Sequence, residues 1–148
     1  MSLDPGSRIV LECLGELPGN RWLDGHTVGG TVGLAPHYGA PYSGTIWQVY
    51  DGGHGSVLLQ CRGKIPGPRW LDGRTGDGTV GLAPQAGLPY SGTLWRVHEA
   101  GSDIMLECLG HIPGPRWLDG RTLDGTVGLA PHTSPPYTGT RWRASKIG

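Results

Sequence analysis

A chain of 148 residues is long enough to bury the core of one domain. Its 28 Gly and 13 Pro alternate with recurring Trp, Val, Leu and Ile, which is typical of short strands joined by tight turns. Twelve basic and twelve acidic side chains give zero net charge, and no third of the chain is strongly basic. Nucleic-acid binding is therefore not expected. No apolar run has the length of a membrane span, so membrane insertion is not expected either.

One sequence unit occurs three times. Residues 65–95 and 112–142 are identical at 24 of 31 positions, and residues 17–47 match residues 65–95 at 22 of 31. These copies divide the chain into repeats 1–50, 51–100 and 101–148. A single copy cannot bury its apolar face alone, so the three must share one core. We therefore expect a single domain over residues 1–148.

Each repeat contains four short predicted strands. Those of the first repeat are expected at residues 9–14, 21–24, 31–35 and 45–49. In the first strand, Leu11 and Cys13 are predicted to face the core. The opposite face, with Val10 and Leu14, is predicted to face water, because Arg62 replaces Leu14 in the second copy. Core positions are also predicted for the tryptophans that close the repeats, Trp47, Trp95 and Trp142.

The three cysteines occupy one repeated position, with Cys13, Cys61 and Cys108 each in an apolar strand. An odd number cannot pair within one chain, so we expect buried free thiols rather than metal ligands or redox groups. The first five residues show no signal peptide. These features fit a cytoplasmic protein or one secreted without a leader, with no cofactor or metal.

Three units of four strands make twelve short strands that need a common core without unpaired edges. A barrel of six strands capped by three hairpins meets both demands. The predicted fold class is therefore all-β, and the predicted architecture is a β-trefoil with pseudo-threefold symmetry.

At these motifs the chain resembles the ricin-B-like β-trefoil superfamily over nearly its whole length. Members of that superfamily carry a Leu-Asp pair on the second strand, a V-x-L on the third and a closing Q-x-W. The counterparts in the first repeat are Leu23-Asp24, Val32-Gly33-Leu34 and Thr45-Ile46-Trp47. The resemblance implies a binding domain, although trefoils also serve as growth factors, protease inhibitors and actin-binding modules.

The chain departs from the galactose site of that superfamily at three positions in every repeat. The Gln of Q-x-W is Thr, and the residue before it, often Asn in sugar-binding members, is Gly44, Gly92 or Gly139. The third-strand aromatic that stacks on galactose falls on Ala35, Ala83 and Ala130. Only the aspartate is retained, so a sugar site here would not copy the galactose site.

A sugar site needs fixed polar groups for hydroxyls and a flat apolar surface for a C–H face. The repeat aspartates, Asp24, Asp72 and Asp119, are the predicted acceptors. Alternatively, they cap backbone N–H groups of an Asp-Gly turn. Two residues earlier stand Trp22, Trp70 and Trp117, which should share the outward face with the aspartates and could form a sugar platform. Alternatively, these tryptophans pack under a neighbouring loop.

Loop residues complete the predicted sites. His37, Gln85 and His132 occupy one repeated loop position that could tune a site. The turn tyrosines, Tyr42, Tyr90 and Tyr137, either line a pocket or pack against their own loop. The basic residues after the Asp-Gly pair, namely His26, Arg74 and Arg121, could donate to hydroxyls or form a solvated charged face.

The sequence therefore predicts a lectin with up to three equivalent shallow sites, one per repeat. Its expected partners are glycans or glycoconjugates, and it is expected to be a monomer or small homo-oligomer. The alternative is a protein-interaction or structural trefoil module without a sugar site. No enzyme is expected, because the chain repeats the same few groups and lacks G-x-S-x-G, H-E-x-x-H and C-x-x-C.

Overall fold

The computed structural model describes residues 3–147, and these form twelve strands and no α-helix. The strands are short because Gly- and Pro-rich turns interrupt every apolar run. They are β1 (Arg8–Cys13), β2 (Trp22–His26), β3 (Thr31–Ala35), β4 (Trp47–Gly53), β5 (Ser56–Cys61), β6 (Trp70–Arg74), β7 (Thr79–Ala83), β8 (Trp95–Ala100), β9 (Asp103–Cys108), β10 (Trp117–Arg121), β11 (Thr126–Ala130) and β12 (Trp142–Lys146). One 3₁₀ turn precedes the last strand of each repeat, at Ser43–Thr45, Ser91–Thr93 and Thr138–Thr140.

Six of the strands close into a ring. Antiparallel pairing runs from β1 to β4, β5, β8, β9 and β12, and β12 pairs again with β1. Each ring strand therefore has a partner on both sides, which removes the free edges of an open sheet. The last strand of the chain thus completes the barrel by pairing with the first.

The other six strands form three hairpins at one end of the ring. Strands β2 and β3, β6 and β7, and β10 and β11 pair in the same register, so that Asp24, for example, lies opposite Gly33. The second strands of the hairpins, β3, β7 and β11, also bridge to one another. The hairpins are therefore anchored both to the ring and to each other.

The core prediction for the closing tryptophans is confirmed, since Trp47, Trp95 and Trp142 are each 0% exposed. Their indole Nε1–H groups donate 3.0 Å hydrogen bonds to the carbonyl oxygens of Leu23, Leu71 and Leu118. The first strand of each hairpin thus receives a hydrogen bond from the barrel interior. These bonds satisfy the one polar atom of each buried ring.

The three cysteines are free and fully buried, as predicted. Each thiol donates to two glycine carbonyl oxygens of a neighbouring repeat, as Cys61 does to Gly25 and Gly44 at 3.6 and 3.5 Å and Cys13 does to Gly120 and Gly139. Burial raises the pKa of the Cys13 and Cys108 thiols to about 11 and also raises that of Cys61. These thiols are therefore protonated at neutral pH.

Three details of the predicted strands are wrong. The second strand extends beyond Asp24 to His26, because the Asp-Gly pair continues the hairpin ladder instead of turning. The fourth strand begins at Trp47, because the Thr45 hydroxyl donates to the Tyr42 carbonyl at 2.7 Å within the 3₁₀ turn. Val10, expected to face water, is only 1% exposed.

Candidate functional site

The repeat aspartates lie in the middle of β2, β6 and β10 and are 5 to 6% exposed. Glycines on two sides leave room for them. In the first repeat, a Cβ at Gly44 would overlap the Gly25 carbonyl oxygen and lie 2.7 Å from Asp24 Oδ1. The same holds for Gly92 beside Asp72 and Gly139 beside Asp119. No side chain fits at this position, so these three positions require glycine.

The aspartates have few partners. Asp24 Oδ2 lies 3.1 Å from His26 Nε2, whereas Asp72 and Asp119 have only the Nε atoms of Arg74 and Arg121 at 3.8 Å. Within residues 3–147, no donor forms a hydrogen bond with Asp72 or Asp119. The carboxylates thus do not cap backbone N–H groups of the turn, which was the structural alternative. Their acceptor capacity remains available.

Burial raises the pKa of all three repeat aspartates, and the neighbouring basic side chain opposes that rise. Desolvation therefore outweighs the attraction of His26, Arg74 or Arg121. Burial at this position therefore disfavours the ionised form of the carboxyl group. The unpaired oxygens of Asp72 and Asp119 are open to solvent, since residues 3–147 contain no side-chain N or O atom that is both fully buried and without a hydrogen-bond partner. Water or a ligand can therefore bond to them.

Each repeat aspartate lines an open cavity, and these three spaces are called here the first, second and third cavity. Their volumes are about 370, 420 and 250 Å³ for the cavities of Asp24, Asp72 and Asp119 respectively. The basic residue after the Asp-Gly pair and the turn tyrosine line the same cavity in every case. The structure thus brings together a carboxylate, a basic side chain and a phenol.

Every cavity has walls from two repeats. Ile65 and Ile112 enter the first and second cavities from the following repeat, and Leu17 enters the third from the beginning of the chain. In each cavity, a hydrogen bond from a buried threonine hydroxyl joins the two walls. Thr27 Oγ1 donates to the Ile65 carbonyl at 2.5 Å, Thr122 Oγ1 donates to that of Leu17 at 2.6 Å, and Thr75 makes the equivalent bond to Ile112.

One rim position differs strongly in side-chain size among the three cavities. This position holds Gly76 in the cavity of 420 Å³, Val28 in that of 370 Å³ and Leu123 in that of 250 Å³. The volume falls as the side chain grows. The basic residue also differs, being His26 in the first cavity and arginine in the others. The sites are therefore built to one plan but are not identical.

The variable loop residues lie behind the turn tyrosines. His37 and His132 each make an edge contact with the ring of Tyr42 or Tyr137, at a centroid distance of 4.9 Å. Gln85 instead donates through Nε2 to the Leu88 carbonyl at 2.9 Å. All three loop residues are exposed, and none is among the residues that line the cavities. They can orient a tyrosine but do not face the aspartate.

The structure does not bring the second-strand tryptophans into the cavities. Trp22 packs against Tyr38 at 4.9 Å between ring centroids, Trp70 against Tyr50 at 5.3 Å, and Trp117 against His98 at 4.9 Å. The expected outward platform of tryptophan and aspartate is therefore not formed. Each tryptophan pairs with a barrel strand, β1, β5 or β9. The aspartate two residues later lies beyond this pairing, within the hairpin, and lines the cavity.

Sequence reasoning missed the cavity residues contributed by the other repeat. Ile65, Ile112 and Leu17 directly precede the repeated P-G-x-R-W-L-D-G motif, and the sequence assigned them no role. The buried threonines Thr27, Thr75 and Thr122 were a usable signal, because a Thr recurs three residues after each repeat aspartate. Residues 3–147 contain no cluster of three or more His, Cys, Asp or Glu placed to hold a metal ion, and no helix that could span a membrane.

Comparison with known proteins gives a likeness of fold. No protein-family model and no curated protein matches the chain. Among solved structures, SeviL bound to asialo-GM1 saccharide is similar over 97% of this chain and 99% of its own, with a TM-score of 0.69 and 14% identity. A salivary protein from Culex quiquefasciatus of the Cysteine and Tryptophan-Rich (CWRC) family is similar over 99% of both chains, with a TM-score of 0.69 and 15% identity. The chain is thus an all-β protein with a barrel-like fold that a saccharide-bound protein shares.

Proposed function

We propose that this chain is a pseudo-threefold β-trefoil of the ricin-B-like type that binds carbohydrate as a lectin, using the three cavities between repeats. The observation that carries the proposal is the state of Asp72 and Asp119. Both carboxylates are buried on a cavity wall, and neither accepts a hydrogen bond from residues 3–147. The saccharide bound to SeviL, which has a similar fold, supports the same proposal.

The cavity offers a saccharide three kinds of contact. The carboxylate accepts hydrogen bonds from vicinal hydroxyls, and Arg74 or Arg121 donates to a hydroxyl or ring oxygen. Tyr90 or Tyr137 provides an aromatic surface for a C–H face. The apolar rim, such as Ile112 in the second cavity, covers the sugar from the next repeat.

The cavity volumes give the expected order of affinity among the three sites. The second cavity is the most spacious and should bind best, while Leu123 restricts the third. Shallow single sites bind weakly, so affinity for a branched glycan comes from occupying more than one cavity at once. The proposal includes no catalytic role, because the three cavities share only one carboxylate position. Asp77 and Asp124 also line the second and third cavities, but the first has Gly29 at the equivalent place, so a carboxylate pair of the kind that hydrolyses a glycosidic bond is not part of the repeated site.

A titration of the isotope-labelled protein with saccharides tests the proposal. We expect a glycan array to give hits and amide shifts to appear at Gly73 and Gly92 when the hit is added. Asp72→Asn should abolish the shifts in the second cavity only. Asp51→Asn, which removes the same charge from an exposed hairpin, is the matched control and should leave them unchanged. An array without hits, or shifts that survive Asp72→Asn, would contradict the proposal.

A protein-interaction module is the second candidate, because exposed apolar side chains surround the cavities. Val28 is 72% exposed, Leu123 70% and Ile112 61%. Such residues are typical of surfaces that bind another protein. A partner protein whose binding survives Asp→Asn at all three repeat aspartates, but is lost on Ile112→Ser, would favour this candidate.

A further inference from the structure

A fourth concave site adjoins the first cavity, with which it shares Pro41, Ser43 and Ile65, but none of the repeat aspartates lines it. It is a groove of about 630 Å³ between the beginning of β1, the loop before β4 and the segment that follows β5. Its volume is within the range of about 300–1,000 Å³ usual for small-molecule sites. Ala40, Ile46, Ile65 and Ile147 give it an apolar surface, while three basic side chains, Arg8, Arg62 and Lys64, line it as well.

Backbone hydrogen bonds fix the walls of this groove. The Arg62 N–H donates to the Ile46 carbonyl at 2.8 Å, and the Lys64 N–H donates to Ser43 Oγ at 3.1 Å. The Ile147 N–H donates to the Arg8 carbonyl at 2.9 Å. The residues that carry the charges are therefore held in place before any ligand arrives, which lowers the ordering cost of binding.

The three positive charges of the groove have no anionic partner among residues 3–147. Within residues 3–147, Arg8, Arg62 and Lys64 form no ion pair, and no acidic residue lines the groove. The Arg62 guanidinium donates to the neutral amide oxygen of Gln60 at 3.0 Å. Three basic side chains around an apolar surface create a positive potential that attracts an anion.

The other two repeat junctions do not carry these charges. Arg8, Arg62 and Lys64 correspond to Ser56, Leu109 and His111 at the second junction and to Asp103, Leu14 and Glu16 at the third. At the third junction Asp103 pairs with Arg141 at 3.5 Å. The basic groove is therefore specific to the first junction and is not a by-product of the repeated scaffold.

We propose that this groove binds a small amphipathic anion, namely a carboxylate attached to an apolar chain. The head group pairs with the guanidinium groups of Arg8 and Arg62 and with the Lys64 ammonium, while the chain covers Ile46 and Ile65. Arginine suits a carboxylate because its planar fork binds both oxygens. The apolar surface adds affinity in proportion to the area removed from water. This site is separate from Asp24, Asp72 and Asp119 and does not depend on carbohydrate binding.

Calorimetric titration with decanoate below its micelle concentration tests this proposal. We expect decanoate to bind at one site per chain, with amide shifts at Ile46, Ile65 and Ile147. Acetate, which has the head group alone, and decyltrimethylammonium, which has the chain with the opposite charge, should not bind. Equal binding of the cation, or no binding of decanoate, would overturn the proposal.

The chain itself provides the variants. Arg8→Ser, Arg62→Leu and Lys64→His introduce the residues of the second junction, and together they should weaken decanoate binding by about tenfold or more. Arg96→Gln introduces the residue of the first repeat at an exposed position outside the groove and is the charge-matched control. If the triple variant fails to fold, Lys64→His alone should still weaken binding.

Unchanged affinity in the folded variants would place decanoate elsewhere and overturn the proposal. Asp72→Asn should leave decanoate binding intact, which separates a failure of this site from a failure of the carbohydrate sites.

Discussion

The barrel interior and the cavities between repeats follow different rules. In the interior, Leu, Cys and Trp recur in all three copies and are fully buried. Around the cavities the aspartate, threonine and tyrosine recur, but the rim changes from Val28 to Gly76 to Leu123. The three copies meet in one close-packed core, so a change there affects all of them. Each cavity is bounded by only two copies and opens to solvent, so it tolerates variation in sequence.

The largest expected effect is on the barrel interior. Trp95→Ala should destabilise the protein by about 3–5 kcal/mol, because it leaves a cavity in the core and removes the hydrogen bond to the Leu71 carbonyl. Denaturant unfolding monitored by circular dichroism measures this loss. Trp70→Ala is the control, since that ring is only partly buried, and should cost clearly less. Equal losses of unfolding free energy for the two variants would contradict the assignment of Trp95 to the core and Trp70 to the periphery.

The next effect concerns the cost of the buried carboxylate. The raised pKa of Asp72 means that the folded state binds more protons than the unfolded state between the two pKa values. The contribution of Asp72 to stability is therefore greatest below the unfolded pKa and falls as pH rises through the folded pKa. Asp72→Asn should thus be as stable as the wild type or more stable at pH 7, and lose that advantage at pH 3. Unfolding free energies at the two pH values check this.

Asp77→Asn provides a control of opposite sign. Hydrogen bonds from the Thr79 hydroxyl and backbone N–H lower the pKa of Asp77, so its stabilising contribution is present at pH 7 and is lost as pH falls. This variant should be less stable than the wild type at neutral pH. A loss for Asp72→Asn at pH 7 as large as that for Asp77→Asn would show that Asp72 has a structural role.

The smallest effect on stability is expected at the cavity rim. Leu123→Gly should enlarge the third cavity toward the 420 Å³ of the second, and Gly76→Leu should reduce the second. A side chain at position 76 is tolerable, since an added Cβ would meet Ile112 Cγ2 at an ordinary 3.5 Å. Saccharide-induced amide shifts should then move from Gly73 to Gly120. If the amide shifts stay in the second repeat after both changes, cavity volume does not decide which cavity the saccharide prefers.

The sequence predicted the interior far better than the cavities. The Trp47 and Cys13 positions recur at fixed spacing in apolar strands. An apolar residue that recurs in every copy is expected in the shared core. The cavities depend on pairs such as Thr27 and Ile65, which are 38 residues apart and meet only after the barrel has closed. The direction of Trp22 also needed the structure, because strand periodicity gives the face of a residue but not its neighbours.

The basic groove was harder still to predict, because its walls come from both ends of the chain. Arg8 and Ile147 meet only where the last strand pairs with the first. Nothing in the local sequence around Arg62 or Lys64 indicates that Arg8 lies nearby.

The hydrogen bond from Thr122 to the Leu17 carbonyl joins the walls of the third cavity. It therefore bears on how many complete cavities a chain of three repeats can form. A cavity exists only where one copy is followed by another. An open row of three copies would contain two complete cavities, and the third arises because the end of the chain meets its beginning. A single repeat would therefore contain half of two different sites and no whole one. The number of complete cavities therefore depends on closure of the ring and not on the repeating unit alone.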